Sequence, residues 1–112
     1  MLNDTNAEKI RSLNDSFRRN LVFGGTVLLT PGVTSLKIDR QAELLEAVRK
    51  FDNFTPDNDP HGEHDFGAID LGSDRFFFKV DYYDQTGSMG SPDPADPTVT
   101  QRVMTIMRAD EY

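Results

Sequence analysis

The chain has 112 residues, of which 37% are hydrophobic, with no cysteine and a formal net charge of -7 at pH 7. This length predicts one domain with one core, and the lack of cysteine excludes disulfides, thiolate metal ligands and a cysteine nucleophile. The acidic balance argues against direct binding to nucleic acid or to an acidic membrane surface and favours basic partners. No signal-peptide pattern opens the chain, and no apolar stretch approaches the roughly 20 residues of a membrane span.

The first predicted element is a helix from Thr5 to Asn20. Its apolar residues recur every three or four positions and form one stripe, made of Ala7, Ile10, Leu13, Phe17 and, just beyond, Leu21. Thr5 and Glu8 fit a capping box at its start. Gly24-Gly25 ends the helix, and the β-branched and apolar residues 26–30 predict a short strand.

A turn and a second helix follow this strand. Pro31-Gly32 is typical of a type II turn, since proline presets the first dihedral and glycine accepts the positive one. Asp39 is the predicted N-cap of a helix that ends near Asp52. Its buried stripe consists of Leu44, Leu45, Val48 and Phe51.

The most specific structural prediction is a hairpin around Gly72-Ser73. A two-residue turn pairs Leu71 with Asp74 and fixes the register back to Phe66 opposite Lys79. Extended further, the same register sets His64 opposite Asp81. Alternation assigns to the core face Ile69, Leu71, Phe76, Phe78, Val80 and Tyr82. The opposite face mixes aromatic and charged residues, namely Phe66, Asp70, Arg75, Phe77, Lys79, Asp81 and Tyr83.

The last part of the chain is predicted to be a linker and a third helix. Residues 85–96 are rich in Gly, Ser, Pro and Asp, which disfavour regular structure. Asp96-Pro97 is a typical helix start, and the buried stripe would be Val99, Val103, Ile106 and Met107. The predicted fold class is therefore α+β, one domain over residues 1–112, in the order α-β-α-β-β-α. Its three-stranded, mainly antiparallel sheet is covered by three helices.

The loop from Asp57 to Asp65 contains both histidines and raises the question of a metal site. Asp57, Asp59 and Gly62 match the opening of a calcium loop, but the twelfth position is Ala68 where a bidentate Glu is needed.

A transition metal would instead use His61 and His64, with Glu63, Asp65 or Asp81 as the carboxylate. Because His64 is predicted to face Asp81 across the hairpin, the simpler interpretation is a structural pair. No cofactor is predicted, and no metal is favoured.

An acid–base enzyme would use His64 as a general base that is oriented by a carboxylate such as Asp81, Asp65 or Asp84. The sequence offers no convincing nucleophile, because it has no cysteine and no nucleophile-elbow pattern, and Ser73 belongs to the hairpin turn. The sequence therefore predicts a protein that is not an enzyme.

Four motifs carry a resemblance to a known family: DNDPHGEHDFG, KVDYYD, GSPDPADP and TIMRADEY. With these motifs in this order, from about Ile10 to Tyr112, the chain resembles the short bacterial proteins grouped as domain of unknown function 3768. The resemblance implies a stand-alone bacterial protein, found in part in plasmid-borne or phage-derived regions. That family has no assigned activity, cofactor or catalytic residues to carry over.

These features together predict a cytoplasmic, acidic protein-interaction module. Its sharpest form is an inhibitor of a host defence nuclease, such as a CRISPR or restriction complex, in which carboxylates mimic phosphates. The expected partner is a basic protein or a nucleic-acid-binding complex, with no direct contact to nucleic acid or membrane. The predicted binding surface comprises Asp57, Asp59, Glu63, Asp65, Phe66, Phe77, Asp81 and Tyr83.

Two alternative functions stay open at this point. One is a metal-binding protein or metal-dependent enzyme centred on His61 and His64. The other is a small regulatory domain, with a homodimer through Phe66, Phe77 and Tyr83 as one form of it.

Overall fold

The fold is a mixed sheet with helices on one face. The structure, a computed structural model, describes the backbone of residues 2–112 and the side chains from residue 6 onward. Its elements in chain order are α1 (Leu2–Asn20), β1 (Thr26–Leu29), α2 (Pro31–Thr34), α3 (Ile38–Lys50), β2 (Phe66–Leu71), β3 (Asp74–Tyr83), β4 (Gln101–Arg108) and a 3₁₀ turn (Ala109–Glu111). Within the described residues, none of the helices combines the length and the apolar composition that crossing a membrane requires.

The strands lie in the order β1-β4-β3-β2, with β1 parallel to β4 and the other pairs antiparallel. The predicted hairpin register is confirmed: Leu71 lies opposite Asp74, and Phe66 lies opposite Lys79. Gly72 takes a φ of 62° in the turn, a left-handed value that glycine adopts without steric cost.

The third predicted helix is wrong, because residues 101–108 form strand β4 at the centre of the sheet. Arg102, Met104 and Ile106 are buried in alternation with less buried neighbours, which is the period of a strand. The carboxylate of Asp96 accepts a hydrogen bond from the backbone N–H of Thr98 and so closes a turn instead of capping a helix. The α+β class is confirmed, but the sheet of the described chain is four-stranded and mixed, not three-stranded and mainly antiparallel.

Three local predictions also differ from the structure. Pro31 opens the helical turn α2, in which Thr34 donates its N–H to the carbonyl of Thr30, so no type II turn forms. Helix α3 begins at Ile38 with Lys37 as its N-cap, so Asp39 lies in the first turn. Helix α1 begins at Leu2, which places Thr5 inside the helix and removes the capping box; the side chain of Thr5 lies outside the described part.

The core lies between the helices and one face of the sheet, which we call the inner face. The sheet contributes Ile69, Phe76, Phe78, Val80, Met104 and Ile106 to it, and α1, α2 and α3 contribute Phe17, Val33, Leu44 and Val48. The opposite, outer face is marked by Phe66, Phe77, Lys79, Asp81, Tyr83 and Thr105. No α-helix of the described chain packs on this outer face.

Gly67 of β2 is a position where the inner face tolerates no side chain. A Cβ at Gly67 would lie 2.6 Å from Cζ of Phe78 and 2.9 Å from Cε2 of Phe51. We expect Gly67→Ala to lower the free energy of unfolding by about 2 kcal/mol, because the two rings must move out of a packed core. Urea unfolding measures this loss. Gly90→Ala is the matched control, since a Cβ at Gly90 has no neighbour within 4 Å; equal losses at both positions would contradict the packing described.

Candidate functional site

The loop that joins α3 to β2 is closed by a turn at His64. His64 has a φ of 56°, a left-handed conformation that side chains with a Cβ seldom adopt. The buried carboxylate of Asp59 holds this turn, since its Oδ1 accepts hydrogen bonds from the backbone N–H groups of Glu63 at 3.1 Å and of His64 at 3.2 Å.

The imidazole ring of His64 is fixed on three sides. Its Nδ1 lies 2.8 Å from Oδ1 of Asp15, and its Nε2 lies 3.7 Å from Oδ2 of Asp59. Its plane stacks on the ring of Phe54, with centroids 3.8 Å apart and an angle of 5° between the planes. We call Asp15, His64 and Asp59 the histidine centre.

The predicted contact between His64 and Asp81 is therefore wrong. Strand β2 begins only at Phe66, and the left-handed turn at His64 directs the chain toward α1 before the strand starts. Asp81 instead forms an ion pair with Lys79 at 3.1 Å on the outer face.

Asp15 is itself held by a buried arginine. Arg18, which is 2% exposed, donates from Nη1 to Oδ1 of Asp15 at 2.8 Å, and its guanidinium lies 5.1 Å from the centre of the Phe54 ring. Burial tends to raise the pKa of Asp15, but the hydrogen bonds from Arg18 and His64 outweigh it, so the pKa lies below its usual value.

A second polar group lies beside the histidine centre, around the fully buried side chain of Asn14. Its Oδ1 accepts from Nε of Arg102 at 2.6 Å, and its Nδ2 donates to the hydroxyl of Tyr82 at 2.8 Å. Tyr82 in turn donates to Oε1 of Glu63 at 2.8 Å. Burial raises the pKa of Tyr82 and lowers the pKa of Arg102, so the network keeps one buried positive charge next to a neutral phenol.

A cleft of about 420 Å³ opens beside the histidine centre, between α1 and the loop. Its lining includes Glu8, Arg11, Phe54, Asp59, His61 and His64. Arg11 reaches across the cleft and donates to the carbonyl oxygen of Gly62 at 3.0 Å. Within the described residues, no three His, Asp or Glu side chains are grouped in a way that could hold a metal ion.

The outer face presents a cluster of three aromatic rings. The centroids of Phe66 and Phe77 lie 5.0 Å apart, and Tyr112 lies 6.0 Å from Phe66 and 5.7 Å from Phe77. Tyr112 is 74% exposed. We call these three residues the aromatic cluster.

The structure does not bring all residues of the predicted binding surface together. Phe66, Phe77, Asp81 and Tyr83 share the outer face, and Asp57 is exposed on the loop. Asp59 does not belong to the acidic surface, because it is buried and its carboxylate accepts hydrogen bonds from the loop backbone. Glu63 is partly exposed, and its Oε1 accepts a hydrogen bond from Tyr82. Asp65 is only partly exposed, and burial together with the charge of Glu63 raises its pKa.

The sequence analysis missed Asn14, Asp15, Arg18, Arg102 and Tyr112. One available signal was position: Asn14 and Arg18 follow Ile10 and Phe17 around the buried side of α1. A polar residue on an apolar stripe needs a buried partner, but the partner's identity is set by the fold.

The lowered pKa of Asp15 gives the protein an acid-sensitive contact. Because the folded pKa lies below the ordinary value of 3.8, Asp15 contributes stability that is complete above about pH 5 and is lost as the pH falls below 3.8 and through the lower folded pKa. We expect Asp15→Asn to cost on the order of 1 kcal/mol at pH 7 and progressively less toward pH 3. Urea unfolding at four pH values measures this. The control is Asp52→Asn, at an exposed position beyond α3, whose free energy of unfolding relative to the unmodified protein should not change with pH in this way. If the loss in Asp15→Asn stayed constant from pH 7 to pH 3, the assignment would be contradicted.

Three comparisons with known proteins complete the description. Searches of curated proteins and of solved structures gave no match. A family model described as "Protein of unknown function (DUF3768)" matches residues 29–111, from the end of β1 to the 3₁₀ turn. The match begins later than the predicted resemblance from about Ile10, so all of α1 (Leu2–Asn20) lies outside it. Because it covers most of the chain, including β2, β3 and β4, the protein belongs to the DUF3768 family.

Proposed function

We propose that this protein is an acidic interaction module that binds a basic partner protein through the outer face of its sheet. The observation that supports this most directly is the aromatic cluster on a sheet face that no α-helix of the described chain covers. Tyr112 of this cluster is exposed and Phe66 and Phe77 are partly exposed, and solvent-accessible aromatic groups are common anchors of protein interfaces.

The charges on the outer face are paired within the face. Asp70 accepts from Arg75 at 2.8 Å, and Asp81 pairs with Lys79 at 3.1 Å. The centre of the face is therefore close to neutral. It offers apolar contact to a partner and has little unpaired charge to desolvate.

Further negative charge lies at the end of this face. The loop of residues 84–100 leaves β3 after Tyr83 and enters β4 at Gln101, which pairs with Tyr83. It contains Asp84, Asp93 and Asp96. Hydrogen bonds from Thr86 and Thr98 lower the pKa of Asp84 and Asp96, so both stay ionised over the physiological range. Such carboxylates steer a positively charged partner toward the aromatic cluster.

A nucleic-acid-binding protein fits this arrangement, since its binding channel is lined with Lys and Arg. An inhibitor of a cytoplasmic host defence nuclease is the sharpest form of the proposal, in which the acidic loop takes the place of phosphates. Of the predicted carboxylates, Asp57, which is exposed on the loop, remains a candidate for this role, and Asp84, Asp93 and Asp96 join it.

The test is retention of a nuclease or nucleic-acid-binding protein from a host lysate on immobilised protein, followed by elution with duplex DNA. We expect release by DNA and by salt, because the contact replaces phosphates. A Phe77→Ala bait should retain at least about tenfold less, since it removes one anchor. An Ile38→Ala bait is the matched control, because Ile38 is 79% exposed on α3, on the helix side. The proposal is abandoned if nothing that DNA displaces is retained, or if Phe77→Ala retains as much as the unmodified bait.

A further inference from the structure

A second site lies on the helix side of the sheet, in the cleft beside the histidine centre. We propose that His64 acts there as a general base and that the cleft hydrolyses neutral carboxylic esters. This activity is separate from the partner surface, which lies on the outer face, so either proposal can fail without the other.

The imidazole of His64 has the orientation of a general base. His64 donates from Nδ1 to Asp15 at 2.8 Å, which leaves the lone pair of a neutral ring on Nε2. Asp15 cannot swing away, because the buried Arg18 holds the same oxygen at 2.8 Å. The stacked ring of Phe54 fixes the plane of the imidazole. A base positioned by a carboxylate is the arrangement that general-base catalysis requires.

The backbone conformation of His64 supports the same role. A left-handed φ at a residue with a Cβ costs free energy and persists only where the surroundings impose it. Here Asp59 imposes it through the hydrogen bonds to the N–H groups of Glu63 and His64. Such conformations are concentrated at sites where a side chain must point in one direction, and this one places the ring in the wall of the cleft.

The nucleophile in this proposal is a water molecule. The 3.7 Å between Nε2 of His64 and Oδ2 of Asp59 is too long for a hydrogen bond. A water that lies to one side of the line between these two atoms can donate one proton to each of them at ordinary distances of about 2.8 Å. Its remaining lone pairs then point away from both acceptors and into the cleft.

The reaction balances with water as the only co-reactant. Nε2 of His64 takes a proton from the water as its oxygen bonds to the acyl carbon, and the carbonyl becomes an oxyanion. The oxyanion collapses, the bond from carbon to the alcohol oxygen breaks, and the leaving oxygen takes the proton from Nε2. The products are a carboxylic acid, which ionises, and an alcohol.

The charges of the cleft select the substrate. The carboxylates of Asp15 and Asp59 flank the base, and Glu8 lines the same cleft, so their combined field disfavours phosphate esters and other anions. One cation, the guanidinium of Arg11, is anchored on Gly62 across the same cleft and is suited to stabilise an oxyanion. Apolar walls for an acyl group come from Phe54, Pro56 and Pro60. A volume of about 420 Å³ suits a small ligand.

The experiment is hydrolysis of p-nitrophenyl acetate, with p-nitrophenyl phosphate as the anionic counterpart. We expect the acetate alone to be hydrolysed, with a kcat/KM about 100-fold or more above that of His64→Gln. Asp52→Asn, at an exposed position outside the lining of the cleft, should keep the rate. The intact protein already decides the question, because a rate per molecule no greater than that of free imidazole at equal concentration overturns the proposal even if His64→Gln does not fold.

Asp15 is a positioning residue in this scheme, and its test separates positioning from folding. Asp15→Asn, if circular dichroism shows it folded, should lower kcat about tenfold or more and leave KM unchanged. The pH dependence of kcat should also shift, because the amide no longer stabilises an imidazolium. An unchanged kcat and an unchanged pH profile in folded Asp15→Asn would rule out the dyad.

Discussion

Asn14→Leu is expected to lower the free energy of unfolding by about 3 kcal/mol, although it exchanges a polar side chain for an apolar one of similar size in the core. Asn14 is fully buried and accepts from Nε of Arg102 at 2.6 Å. Without it, the guanidinium of Arg102 keeps its contact with the carbonyl of Pro94 but loses the partner of its Nε in a buried position. Breaking one side of a buried charged contact costs far more than the contact itself contributes.

A double-mutant cycle with Arg102→Met separates this cost from a change in packing. Arg102→Met removes the charge and keeps an unbranched side chain in the same space. If the loss in Asn14→Leu comes from the unpaired guanidinium, Asn14→Leu combined with Arg102→Met should be clearly more stable than the sum of the two single losses predicts. Urea unfolding of the four proteins gives the coupling energy. Additive losses would show that the hydrogen bond to Arg102 is not the source of the effect.

Local patterns predicted the hairpin and the two long helices. The hairpin register follows from a two-residue turn and from alternation in the flanking strands, both of which lie within the residues 66–79 that form the pairs. The helices α1 and α3 have apolar stripes that persist over several turns, so their period is clear without any tertiary contact. Their first residues were misplaced, and α3 ends at Lys50, two residues before the predicted Asp52.

Strand β4 could not be predicted locally, because its sequence satisfies two periods. Val99, Val103 and Ile106 recur at helical spacing, and Arg102, Met104 and Ile106 recur at strand spacing. The structure selects the strand because β4 fills the position between β1 and β3 and pairs with both. An arginine on the inner face also looks wrong for a strand until Asn14, 88 positions earlier, is seen to accept from it.

The candidate sites show the same division between local and long-range information. Parity along the hairpin placed Phe66, Phe77, Asp81 and Tyr83 on one face, and the structure finds them there. The histidine centre was missed because a single backbone angle at His64 takes the ring from the strand to α1. No pattern within the loop encodes the position of Asp15, which lies 49 residues before His64.

Two adjacent phenylalanines on β3 provide the sharpest test of this architecture, because alternation places their side chains on opposite faces. Phe78 is fully buried between Phe51 and Phe54, and Phe78→Ala should lower the free energy of unfolding by about 4 kcal/mol. Phe77 lies in the aromatic cluster on the outer face, and Phe77→Ala should cost only about 1 kcal/mol.

Partner binding should show the reverse order: a change at Phe77 should weaken it, and a change at Phe78 should not. Phe77→Ala is expected to remain folded and to lose retention of a DNA-displaceable partner, because it removes an anchor and leaves the core intact. A conservative core change, Phe78→Leu, should lower stability but, below its melting temperature, should retain the partner as the unmodified protein does. Thermal unfolding and the retention assay on the same preparations measure both properties. If Phe78→Leu lost the partner while Phe77→Ala kept it, binding would depend on the helix side of the sheet, and the outer face would have no part in it.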